Sequence, residues 1–91
     1  MEIIMKNMTL ERITEVCDGV YYGSETDKTK EITGAVIDSR QVDPGYLFIA
    51  VKGEKVDGHR FIPQVFEKGA LAVLSEQELS DPAGPYIRVE S

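Results

Sequence analysis

Ninety-one residues, 42% apolar and 29% charged, make one small globular domain and leave no room for a second. A formal charge of −6 excludes a general nucleic-acid binder, which needs a basic face. No run approaches the ~20 apolar residues of a membrane span. The opening Met1–Asn7 also lacks the basic and apolar regions of a secretory signal, and the single Cys17 excludes an internal disulfide, so a reducing cytoplasm is expected. The acidity is uneven: residues 1–37 and 61–91 each carry −3, whereas 38–60 is neutral, and an anionic ligand is expected at that middle stretch.

In chain order, the spacing of Leu10, Ile13, Val16 and Cys17 predicts a helix over Thr9–Cys17, with Thr9 as its N-cap and Asp18-Gly19 as its stop. Val20-Tyr21-Tyr22 reads as a brief strand and Gly23–Lys30 as a loop. Glu31–Ile37 reads as a strand weakened by Gly34, and Asp43-Pro44-Gly45 as a turn. Tyr46–Val51 is continuously apolar at its centre, as a strand buried on both faces should be. Asp57–Arg60 is a lead-in turn to a helix starting near Ile62, with Pro63 in its first turn. Leu71–Leu74 is a short buried strand, Asp81–Pro85 a loop, and Tyr86–Val89 the final strand. The fold class is α/β: a small mixed β-sheet flanked by helices.

Much chemistry is excluded by what the 91 residues lack. There is no G-x-x-x-x-G-K-[ST] phosphate loop, and His59 has no second histidine or cysteine cluster with which to share a metal. Beside a turn, His59 reads as a hydrogen-bonding residue rather than a general base. Two segments at strand exits remain, Asp38-Ser39-Arg40 and Lys52–His59, placed where ligands of open α/β sheets gather. Ser39 is suited to hydrogen-bonding a heteroatom ring, and Arg40 or Lys52 to facing a phosphate. The structural alternative has Asp38 capping a turn, Arg40 pairing with Asp43 or Asp57, and the glycines supplying turn geometry.

The run Ile37–Ala50, with Asp38-Ser39-Arg40, Pro44-Gly45 and Leu47-Phe48-Ile49-Ala50, resembles a pattern of Mur ligase N-terminal domains. Lys52-Gly53-Glu54 with Asp57-Gly58-His59-Arg60-Phe61-Ile62, and Glu67–Leu74, continue it. Met8–Ile13 with Cys17-Asp18-Gly19, and Glu31–Gly34, lean toward the branch that adds D-alanyl-D-alanine to a UDP-N-acetylmuramoyl-tripeptide, although Asp18 stands where that branch often has glycine. The alternative is the branch that adds the third amino acid, diaminopimelate or lysine, to the dipeptide.

The resemblance implies that residues 1–91 form the domain anchoring the uridine-diphosphate end of the UDP-muramoyl peptide. A central domain outside this chain would supply the site for ATP and Mg2+, and a C-terminal domain would help bind the incoming amine. No cofactor and no catalytic residue is expected here. Carried over by position, the uracil contacts are Ser39, Ile37 and Glu54-Lys55-Val56, the last three through their backbone. Arg40 and Lys52 as phosphate partners rest on charge alone. A reading of another class is a stand-alone interaction module, with a protein-facing patch drawn from Tyr21, Tyr22, Tyr46, Phe48, Phe61, Phe66 and Tyr86. Phe48 and Phe61 are expected to be core.

Overall fold

A computed structural model describes residues 8–53 and 56–90. Helix α1 spans Leu10–Val16 and is capped by Thr9, whose side chain accepts from the Arg12 N–H at 3.1 Å. It buries Leu10 and Ile13 against the sheet. The expected stripe stops there. Asp18 takes a left-handed conformation (φ 54°), the Gly19 N–H closes back on the Thr14 carbonyl at 2.9 Å, and the last turn leaves Val16 and Cys17 exposed. Glycine adopts that conformation freely, so the departure at Asp18 falls on the residue that ends the helix.

Strand β1 is Val20–Tyr22. The segment expected to be loop contains one helical turn, α2 (Glu25–Lys28), because Ser24 accepts from the Asp27 N–H and Lys30 pairs with Asp27 at 2.8 Å. Strand β2 is only Gly34–Val36. Lys30 and Ile32 instead exchange backbone bonds with Leu10 and Met8, which ties Glu31 to the start of α1 and keeps it out of the sheet. Strand β3 is Tyr46–Ile49, α3 is Ile62–Glu67, β4 is Ala72–Ser75 and β5 is Tyr86–Arg88.

The strands form one sheet in the order β1-β5-β4-β3-β2. β2, β3, β4 and β5 run parallel, and β1 joins β5 antiparallel, so the sheet is mixed as expected. Its two faces are covered by different helices. Phe48, Val73 and Tyr86 point toward α3 with Val42, Ala50, Ile62 and Val65. Their strand neighbours Leu47, Ala72 and Ile87 point the other way, toward Leu10, Ile13 and Ile32. The apolar run at 47–50 follows from this, since successive side chains of a central parallel strand enter opposite cores, whereas Val51, expected in the strand, lies past its end and is exposed. Phe48, Val65, Val73 and Ile87 are fully buried, each contributing about 1.5–3 kcal/mol relative to exposure.

Candidate functional site

The parallel strands β2 and β3 release the chain on the same side of the sheet, and a groove of about 570 Å³ opens there against α3. One wall is the segment after β2. Asp38 caps a single 3-10 turn, Ser39–Gln41, accepting from the Arg40 N–H at 2.9 Å. The same carboxylate receives Arg40 Nε at 3.0 Å and Nη2 at 2.8 Å. Those bonds hold the Asp38 carboxyl down at about 2, with the Lys68 charge adding a smaller pull, and push the Arg40 guanidinium upward in return. Arg40 therefore pairs with the aspartate that caps its own turn, and not with Asp43 or Asp57.

The second wall is a finger after β3. The Gly58 N–H bonds to the Val51 carbonyl at 2.8 Å, Lys52 bridges to Asp57, and the Gly53 N–H bonds to the Val56 carbonyl at 2.9 Å. The base of the finger is held by His59, which is buried. Its Nδ1 lies 2.6 Å from Asp57 Oδ1, and its Nε2 accepts from the Glu76 N–H at 3.2 Å. Accepting at Nε2 places the ring proton on Nδ1, where it donates to Asp57. The backbone and ring N–H of His59 hold the Asp57 carboxyl below its ordinary value. With both ring nitrogens engaged, His59 is a structural tie between the finger and the end of β4.

The third wall is the exposed side of the 58–68 segment, carrying Phe61, Gln64 and Lys68. Lys68 Nζ reaches across the groove to donate to the Ser39 carbonyl at 2.9 Å. Gly69 follows it with φ 98°, and the Gly69 and Ala70 N–H groups close on Phe66 and Val65, so the helix ends with Lys68 turned toward the groove.

Of the expected site residues, Ile37, Ser39, Arg40 and Val56 line this groove together. Lys52 does not; it lies on the finger against Asp57. Glu54 and Lys55 lie outside the described residues. Sequence reasoning missed Val51, Phe61, Gln64 and Lys68. The signal for the last three was their i, i+3, i+7 spacing, the counterpart of the buried face carrying Ile62 and Val65. Phe61, expected in the core, is half-buried and forms groove wall.

The groove mouth is apolar with a polar edge. Ile37, Val51 and Val56 are 67%, 47% and 47% exposed around Phe61. Apolar side chains grouped at a concavity favour a flat, partly apolar occupant. Ser39, the backbone of the finger and Lys68 supply hydrogen-bonding groups beside it. Among the described residues, no three His, Cys, Asp or Glu side chains gather as a metal site would require. Of the seven aromatics weighed for a protein-facing patch, only Tyr22 is exposed, and it stacks on Tyr86 at 4.8 Å.

Residues 31–89 match the family model described as "Mur ligase family, catalytic domain". The chain belongs to the Mur ligase family. Among solved structures it superposes on MurF from Acinetobacter baumannii with a TM-score of 0.78 and 26% identity, covering 96% of this chain and 19% of that one. The small mixed sheet with its flanking helices is thus the fold of the Mur ligase N-terminal domain. Curated Mur ligases match more strongly in sequence. A UDP-N-acetylmuramoyl-L-alanyl-D-glutamate--2,6-diaminopimelate ligase of Geobacter sulfurreducens is 46% identical over 83 residues, 90% of this chain and 16% of its own length. A ligase of the same name from Chlorobium phaeobacteroides is 57% identical over 56 residues, covering 58% of this chain and 11% of its own. The curated relatives thus carry the name of the branch weighed as the alternative, whereas the matching solved structures are MurF, the branch toward which the opening residues lean. The chain spans about a sixth of the length of the Geobacter ligase.

Proposed function

We propose that this chain is the substrate-anchoring domain of a Mur ligase whose remaining domains belong to a longer protein. It holds the uridine-diphosphate end of a UDP-N-acetylmuramoyl peptide in the groove between the Ser39 turn, the 51–58 finger and α3. The observation that carries the reading is the convergence of Ile37, Ser39, Arg40 and Val56 on one apolar-mouthed groove in a chain of this family. The uracil ring packs among Ile37, Val51, Val56 and Phe61, with Ser39 and the finger backbone at its edge.

The parent enzyme joins an amino acid to the muramoyl peptide in the cytoplasm, using ATP and Mg2+ to activate the substrate carboxylate as an acyl phosphate for attack by the incoming amine. The 46% identity to a diaminopimelate ligase favours addition of the third amino acid, diaminopimelate or lysine, over addition of D-alanyl-D-alanine. The residues of this chain do not fit ATP and Mg2+: the 91 residues contain no phosphate loop, and the described ones hold no carboxylate cluster. Those groups belong to the central domain, the partner of this one in the parent chain, and the isolated domain is inactive.

Titration of the 91-residue chain with uridine 5′-diphosphate, followed by amide chemical shifts, tests the anchoring role. Ser39 and Val56 should shift first, with a dissociation constant on the order of high-micromolar to millimolar, since a few hydrogen bonds and one stacked ring are all that remain without the other domains. Ser39→Ala should weaken the response several-fold with the fold intact. Shifts confined to α1, or an undiminished response in the variant, would place the site elsewhere.

A further inference from the structure

The cation that faces a phosphate in this groove is set by how each basic side chain is already engaged. Arg40 lines the groove but gives Nε and Nη2 to Asp38 in a two-point pair, so its charge is offset where it stands. Lys52 lies on the finger, outside the groove lining. Lys68 differs from both. It lines the groove, and its ammonium has no carboxylate within ion-pair distance among the described residues. It uses one of its three N–H donors on the Ser39 carbonyl, which leaves two donors and the charge beside Ser39.

We infer that Lys68 is the phosphate-facing cation of this groove: it fixes the Ser39 turn through its carbonyl bond and supplies the charge that favours a nucleoside diphosphate over the bare nucleoside. The inference rests on the uridine-nucleotide reading above and names its specificity-determining residue. The geometry supports a shared task. A ligand whose ring is read at Ser39 brings its first phosphate within reach of a lysine already bound to the same residue. A carbonyl partner is neutral, so the ammonium keeps its attraction for an anion.

The test compares affinities of the 91-residue chain for uridine and for uridine 5′-diphosphate, measured in the same low-salt buffer, in the parent chain and three variants. In Lys68→Gln the preference for the diphosphate should fall by about fivefold or more, a partly screened charge contact at the surface. Lys68→Arg should keep it within about twofold, and Lys52→Gln, which removes the same charge from the finger, should leave it within about twofold as well. An unchanged preference in Lys68→Gln, or an equal fall in Lys52→Gln, overturns the role of Lys68 while leaving the uridine site standing. Uridine affinity falling in step with diphosphate affinity in Lys68→Gln reduces the residue to holding the turn and overturns the charge claim. Failure of the parent chain to bind either compound overturns the uridine reading and this inference together.

Discussion

The Asp38 carboxylate takes its hydrogen bonds from the residue two places on, and that local arrangement makes its protonation measurable. The carboxyl sits at about 2 in the folded chain, held by the Arg40 side chain, by the Arg40 backbone N–H and more weakly by the field of Lys68. A carboxyl depressed on folding adds stability above its unfolded value near 3.8 and loses that contribution as pH falls through about 2. The turn at Ser39–Gln41 should therefore loosen between about pH 4 and pH 2. Carboxyl-carbon NMR should find the Asp38 midpoint near 2, and Arg40→Gln should raise it part of the way back, because the backbone bond survives. A midpoint unmoved by the variant would mean that the side-chain pair does not hold the carboxylate down. The cap was legible in sequence, since an aspartate two residues before its N–H partner is a local signal. The bond from Lys68 to Ser39 was not, because it joins residues 29 apart that only the β3-α3 packing brings together.

At the level of elements, the connections are as specified as the strands. Gly45 enters β3 with φ 87°, and a Cβ there would lie 2.7 Å from Thr33 Oγ1. Gly45→Ala should cost about 2 kcal/mol, from the left-handed backbone and the displaced threonine, visible as a lower urea midpoint. Gln64→Ala, at an exposed helix position, should stay within about 0.5 kcal/mol. A neutral Gly45→Ala would show that the turn relaxes at no cost. The Asp43-Pro44-Gly45 signal located this turn from residue types alone, and Thr9 and Pro63 did the same for the starts of two helices. The β2 boundary was misjudged because Glu31 and Ile32 have strand-like composition, yet the Lys30 carbonyl and the Ile32 N–H flanking Glu31 pair with Leu10 and Met8, across a gap in sequence that no local pattern records. The helical turn at Glu25–Lys28 was hidden for the opposite reason: a four-residue helix held by the Ser24 cap buries nothing and leaves no apolar stripe to read.

For the molecule as a whole, the sheet order gives β5 a special weight. It is parallel to β4 on one side and antiparallel to β1 on the other, so the first strand of the chain touches the rest of the sheet only through the last. Ile87, fully buried at its centre, belongs to the core under α1, and Tyr86 belongs to the core under α3. A chain ended at Pro85 should therefore lose both cores at once and show no cooperative unfolding transition by circular dichroism, whereas the 91-residue chain unfolds in one step. A truncated chain that still unfolds cooperatively would show that β2-β3-β4 with α3 stands alone.

That order also sets a timetable. On a ribosome, Val20–Tyr22 leaves the exit tunnel early and must wait, unpaired and with Tyr22 bare, until partners more than sixty residues downstream are translated. The parallel strands at the far edge emerge in the meantime, but the cores on both faces of the sheet stay open until Tyr86 and Ile87 arrive. Arrival of Tyr86–Arg88 then joins β1 to the parallel strands and closes both cores. The groove between β2, β3 and α3 is therefore backed by a complete core only once the last strand is in place.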